Sequence, residues 1–168
     1  QRSWDPDRVE GARLFNLHVK KSMEKDSSSK INGKRCNVYE LVRDALNART
    51  QLDIDTTNLQ WRDNGKNNVN GLGNIIPMVD TSGSMESDKC IPLYNAIGLG
   101  LRVSENTHPA FRNRIMTFDA NPTWIQLNDD LSFCDKVSRV KRAAWGMNTD
   151  FYKAMRQILD VILVNHIS

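Results

Sequence analysis

Asn74-Ile75-Ile76-Pro77-Met78-Val79-Asp80-Thr81-Ser82-Gly83-Ser84 is the stretch on which the reading of this chain turns. Residues 74–79 form a short, nearly continuous apolar run, the pattern of a strand buried on both faces. The run passes directly into Asp80. Open α/β sheets gather their ligands beyond the carboxyl ends of the strands, so a carboxylate followed by two hydroxyls at alternate positions stands where a site belongs. The oxygens of Asp80, Ser82 and Ser84 can turn toward one point, with Gly83 expected to let the backbone bend sharply. An all-oxygen set suits a hard cation, Mg2+ first and Mn2+ or Ca2+ after it, whereas zinc or copper would want His or Cys nearby. One carboxylate leaves such an ion electrophilic and able to accept a carboxylate from outside. The plainer reading is a polar turn whose side chains cap the next helix.

Working toward the C-terminus, Pro92 opens a helix that carries Leu93, Ala96, Ile97, Leu99, Gly100, Leu101 and Val103. It is apolar over so much of its circumference that burial is expected. Residues 114–118 and 123–127 read as two strands joined by the turn Asp119-Ala120-Asn121-Pro122. A helix joins the first strand to the second and a short turn joins the second to the third, which predicts one sheet with the first pair parallel and the last pair antiparallel. A further helix is expected from Asp129 or Asp130 through Leu131, Cys134, Val137 and Val140, with Lys141 and Arg142 near its end. After a loop at 145–148, the last helix runs from about Thr149 through Phe151, Ala154, Met155, Ile158, Leu159 and Ile162. The succession is α/β.

Toward the N-terminus the pattern is helical. Asp5-Pro6 starts a helix to about Glu24, with Val9, Ala12, Leu14, Phe15 and Val19 as a rough apolar stripe. Residues 26–34 read as a loop, and Asn37 with Glu40 forms a capping box for a helix through Leu41, Val42 and Ala45, ending near Arg49. From 52 to 70 the pattern weakens, with Leu59 and Trp61 as its strong apolar anchors, and residues 63–70 mark a candidate boundary. The expected division is a helical lead-in and linker over 1–70 and an α/β domain over 71–168.

The chain has 168 residues, of which 39% are hydrophobic and 26% charged, as in a soluble globular protein. No stretch approaches the roughly 18–20 continuous apolar residues of a membrane span, and a cytoplasmic setting is expected. Cys36, Cys90 and Cys134 are widely spaced and odd in number, which points to reduced thiols. The formal charge of +3 is uneven, because residues 1–50 hold eleven Lys and Arg against seven Asp and Glu. Within that excess, Lys20, Lys21, Lys30, Lys34 and Arg35 are candidates to face an anionic partner such as RNA. The alternative is a solvated helix end and loop.

Asp80, Ser82 and Ser84 after a buried strand resemble the Asp-x-Ser-x-Ser hallmark of von Willebrand factor A domains, with Ser82-Gly83-Ser84-Met85 in the commonest wording. The family's later threonine matches Thr149 in Gly146-Met147-Asn148-Thr149-Asp150. Taken with Thr117-Phe118, Asn121-Pro122 and Trp145, these segments are similar to an uncharacterised family of A-like proteins from plants and giant DNA viruses. The order of parts is also similar to the Ro autoantigen (TROVE) family, whose members bind RNA chiefly through their helical part. The resemblance implies the front half of a Rossmann-like von Willebrand A domain with a mostly parallel sheet, flanking helices and a small helical segment before it. It implies a metal-ion-dependent adhesion site (MIDAS) of Asp80, Ser82, Ser84 and Thr149, with Asp150 beside it. Three departures stand out. Pro77 lies inside the expected strand, where it removes a ladder hydrogen bond; Asp119 stands where relatives usually carry Ser; and the chain ends at Ser168, before the strand that would bring a third metal-loop aspartate.

The expected function is a non-enzymatic protein-binding module whose Mg2+ engages an acidic residue of a partner. The alternatives are an RNA-binding protein of Ro-like layout and a structural or virion component that uses the fold as scaffold. Neither Gly71-x-Gly73 nor Gly98-x-Gly100 completes a dinucleotide fingerprint. His18, His108 and His166 are not paired by motif with a Ser or Cys nucleophile, and Ser82 occupies the place of the second carboxylate that a phosphatase built on Asp80 would need. The free edge expected beside residues 75–79 predicts a chain that is not a lone monomer.

Overall fold

The computed structural model describes residues 6–24, 33, 35–66, 72–118, 120–143 and 150–165. Three helices come first: α1 (Pro6–Met23), α2 (Val38–Asn47) and α3 (Gln51–Gly65). The strand β1 (Met78–Val79) follows, then two 3-10 turns, the helix α4 (Ile91–Asn106), the hairpin strands β2 (Arg114–Thr117) and β3 (Trp124–Gln126), and the helices α5 (Phe133–Lys141) and α6 (Phe151–Val164). The architecture is mixed α/β. Its sheet has the order β1-β2-β3, parallel between β1 and β2 and antiparallel between β2 and β3, as the connections predicted.

The expected strand over 74–79 is reduced to two residues, and Pro77 is the reason. Its ring removes the N–H that a longer ladder would use, although its carbonyl still accepts from Met116 N at 3.0 Å. Ahead of it the chain is pinned by a side chain: the single proton of the Thr107 hydroxyl is shared between the carbonyls of Gly73 and Ile75, and Ile75 N donates to Thr107 Oγ1 at 3.2 Å.

Side chains alternate across the sheet and divide the core. Val79, Ile115 and Leu127 belong to a cluster with Leu93, Ile97 and Leu101 of α4, Val137 and Val140 of α5, and Leu41, Val42 and Ala45 of α2. On the opposite face Met116, with Met78 and Trp124 beside it, meets Ala154 and Ile158 of α6. Helices therefore cover both faces, and α2 shares the core of α4 and α5 although it lies in the lead-in.

Two glycines make α4 the centre of this packing. A Cβ at Gly98 would run into Val38 and Val42 of α2, and one at Gly100 would run into Val79 of β1. The Gly98-x-Gly100 pair thus serves close approach between elements.

Several expectations are corrected. The region of weak pattern from Leu52 is a 15-residue helix, α3. It is started by Thr50, whose hydroxyl accepts from Asp53 N while the Asp53 carboxylate accepts from Thr50 N. α5 begins at Phe133 rather than at Asp129 or Asp130, because Ser132 caps it by accepting from Asp135 N; Asp129 instead accepts from Asn113 Nδ2 at 2.6 Å. The apolar stripe of α1 is mostly solvent-facing: Val9, Leu14 and Phe15 are exposed, and Val19 and Ser22 are its buried residues. The three cysteines are free thiols. Among the described residues no helix is long and apolar enough to cross a membrane. Asp5, Asp119, most of the loop over 26–34 and the loop at 145–148 lie outside the described residues.

Candidate functional site

The site is built where β1 ends. Phe118 N donates to the Val79 carbonyl at 3.1 Å, and Val79 is buried against α4, so the last residue of the strand is fixed from the side and from below. Asp80 follows, half-buried. Its Oδ1 accepts from Ser82 N at 2.8 Å, an Asx turn in which the side chain substitutes for a backbone acceptor. The turn folds the chain back so that Thr81 points inward and is buried, while Ser82 and Ser84 fall on the outer side with their hydroxyl oxygens 2.9 Å apart.

The bend does not depend on an unusual glycine. Gly83 has no positive φ, and a Cβ there would meet nothing within 4 Å. The Asx turn and the 3-10 turn Gly83–Glu86 curve the chain instead. Left-handed backbone occurs further on, at Asp88, Lys89 and Cys90 (φ of 46°, 56° and 64°), where the loop is brought round into α4. Glu86 anchors the turn to the end of α5 through Lys141, at 3.2 Å.

Two uses of the serine hydroxyls can be compared. Ser82 occupies the position before the 3-10 turn from which a side chain would cap, yet its hydroxyl makes no capping hydrogen bond. It faces Ser84 Oγ. Ser82 therefore does not cap the 3-10 turn. Ser82 Oγ and Ser84 Oγ are hydrogen-bonded to each other at 2.9 Å, and with the Asp80 carboxylate they are oxygen groups of the kind a hard cation takes.

The other expected ligands divide. Thr149 lies outside the described residues. Asp150 is the N-cap of α6: its Oδ1 accepts from Lys153 N at 3.0 Å and its Oδ2 pairs with Lys153 Nζ at 3.4 Å. The Lys153 amide, and after it the Lys153 side chain, hold the Asp150 carboxyl below the usual carboxylate range. Its location is informative. Lys153 Nζ donates to Asn121 Oδ1, and Gln157 Nε2 to the Pro122 carbonyl at 2.7 Å, which seats the first turns of α6 on the loop after β2. Because β1 and β2 are parallel, that loop and Asp80 share one end of the sheet, and the structure brings Asp150 to the same rim as the Asp80 turn. Among the described residues no group of three His, Cys, Asp or Glu side chains could hold a metal.

The basic candidates are less gathered. Lys20 and Lys21 are exposed in the last turn of α1 and Arg35 is exposed before α2, while Lys30 and Lys34 lie outside the described residues. A concavity of about 700 Å³ lies away from the Asp80 turn, between β3 and α5, with Trp124, Asp135, Arg139 and Arg142 in its lining.

Sequence reasoning missed the seam that ties the lead-in to this body. The Arg102 guanidinium lies 3.5 Å from the centre of the Trp61 ring, which stacks on Phe133 at 4.1 Å. Glu105 pairs with both Arg102 and Lys136, at 3.4 and 3.3 Å. Trp61 as an isolated strong anchor was the available signal; its partners are 41 and more positions away.

Residues 74–168 match the family model described as Domain of unknown function (DUF7788). Over 144 residues, 83% of this chain, the sequence is 33% identical to an uncharacterised protein of Acanthamoeba polyphaga mimivirus. The match accords with the giant-virus side of the sequence resemblance, and the chain spans 23% of the length of that relative. No solved structure matches.

Proposed function

Starting from a chain that belongs to the family of the Domain of unknown function (DUF7788), we propose that it is a non-enzymatic binding module of von Willebrand A type. Its Asp80, Ser82 and Ser84, with Thr149 as a further ligand and Asp150 beside it, would hold Mg2+, or Mn2+ or Ca2+ in its place. The ion then takes a carboxylate from a protein partner. In this reading residues 71–168 belong to the A-like domain, residues 1–70 are its helical lead-in, and the setting is the cytoplasm or, for a viral protein, the virion.

The observation that carries the proposal is the turn at the end of a parallel strand in which the Asp80 carboxylate accepts from Ser82 N and the Ser82 and Ser84 hydroxyls hydrogen-bond to each other on its outer side, which gathers three oxygen groups in one turn. The order of strand, turn, helix and hairpin, with α6 starting at the same rim, supports the von Willebrand A assignment over a bare polar turn. Only one carboxylate faces the ion in this set, so affinity is low and the ion's remaining charge favours an acidic ligand.

Titrating Mg2+ while following backbone amides by NMR tests the reading. Saturable shifts at Ser82, Gly83 and Ser84 are expected in the wild type and should be lost in Asp80→Ala with the rest of the spectrum preserved. Equal responses from wild type and variant would remove the metal site from the account.

A further inference from the structure

α6 has two apolar faces, and the sheet uses one. Ala154 and Ile158 are buried against Met116, while on the other side Tyr152, Met155, Leu159 and Leu163 are 75%, 45%, 52% and 62% exposed. Their spacing of three and four residues places them in one stripe along the helix. A shallow groove of about 420 Å³ runs along it, with far more apolar than polar surface. Exposed single apolar side chains are ordinary; a continuous stripe on one helix marks an interaction surface.

The charges beside the stripe identify what fits it. Arg156 and Asp160 are exposed on the same flank, one turn apart, and neither is ion-paired among the described residues. At the level of Ile158 along the axis, Arg156 stands two residues before and Asp160 two residues after. A twofold axis at that level, with a second helix running antiparallel, therefore sets each arginine opposite the other copy's aspartate. The same operation interleaves the stripe. Tyr152 and Met155 stand six and three residues before the axis, Leu159 and Leu163 one and five after it, so the side chains of two copies occupy alternate levels. A surface complementary to itself in both charge and spacing is what an isologous dimer requires.

We propose that α6 is a homotypic docking helix, on which a second copy of this chain packs antiparallel through Tyr152, Met155, Leu159 and Leu163 with reciprocal Arg156–Asp160 pairs. A helix of fourteen residues is about 21 Å long, and one helix pair of that length buries less than the ~1,200 Å² of a stable standard interface. The association is accordingly concentration-dependent, in the micromolar range or weaker.

Sedimentation equilibrium of the 168-residue chain, from about 5 to 500 µM, tests it together with charge reversal. The wild type should show a monomer–dimer equilibrium. Arg156→Asp and Asp160→Arg should each weaken it about tenfold or more, and the double reversal should restore it, since the pairs are reformed with exchanged signs. Leu159→Glu should leave a folded monomer by circular dichroism. A wild type that stays monomeric throughout, with the stripe covered by some other partner, overturns the proposal, and so does a dimer indifferent to the single reversals or not rescued by the double one.

Discussion

Replacing Gly98 by alanine sets two well-characterised effects against each other. Alanine in a helix interior is favoured over glycine by about 1 kcal/mol, and on that ground alone Gly98→Ala stabilises α4. The structure reverses the sign. The new Cβ would stand 3.0 Å from Val42 Cγ2 and closer still to Val38 Cγ1, where carbon atoms rest about 3.5–4.0 Å apart. Both neighbours are β-branched and stiff, and Val42 is fully buried, so α2 must move away by about 0.5 Å or more from the helix it packs on. Overpacking of this kind costs about 1–3 kcal/mol. Set against the propensity gain, the net effect is a loss of about 1 kcal/mol, or a fall of about 2–4 °C in Tm for a chain of this size. Gly11, in the exposed half of α1 with open space for 4 Å around the point where a methyl would stand, is the control; alanine there should raise stability by about 0.5–1 kcal/mol. Urea unfolding followed by Trp fluorescence and circular dichroism measures both. If Gly98→Ala stabilises as Gly11→Ala does, then α2 does not pack on α4 as described.

Removing the charge from the seam by Arg102→Met should destabilise the chain by about 1–3 kcal/mol and change the emission of Trp61, whose ring lies under the guanidinium; unchanged emission would contradict that stacking. Burial pushes the Cys134 thiol up to about 11, so its neutral form contributes stability that is complete below the ordinary thiol range and is lost as pH rises toward 11. At about pH 8 iodoacetamide should therefore label half-buried Cys36 and Cys90 before Cys134, whose labelling should track unfolding. The Asp53 carboxyl is held low by its hydrogen bonds, first with Thr50, and so stabilises α3 at neutral pH and loses that effect as pH falls through its lowered pKa. The difference in stability between wild type and Asp53→Ala, measured by urea titration, should narrow in acid; a constant difference would show that the capping box is not formed.

How much of this was legible in the sequence depends on what holds each part. The hairpin, α2, α4 and α6 announce themselves because their apolar spacing is the cause of their burial. α3 did not, since Asp53, Asp55, Thr56, Thr57 and Asn58 give it little periodicity. It is fixed by its cap, by Trp61 on Phe133 and by Asp63, whose carboxylate accepts from Gly33 N at 2.9 Å, and such contacts between distant positions leave no local pattern. The shortness of β1 could be anticipated from Pro77, but not the substitution of Thr107 for the missing ladder. At the site, the turn that follows β1 at Asp80 was readable from the apolar run ahead of it. The role given to Gly83 was not, because the Asx turn at Asp80 performs the bend without a positive φ.

The central claim is that the Asp80 turn holds a divalent cation, and the most direct measurement is an anomalous difference map from crystals of the chain grown with Mn2+. The account predicts a peak within about 2.0–2.6 Å of the Asp80 carboxylate and of both Ser82 Oγ and Ser84 Oγ, absent from crystals of Asp80→Ala. A map with no peak at the turn at saturating Mn2+, or with density confined to other carboxylates, would contradict it.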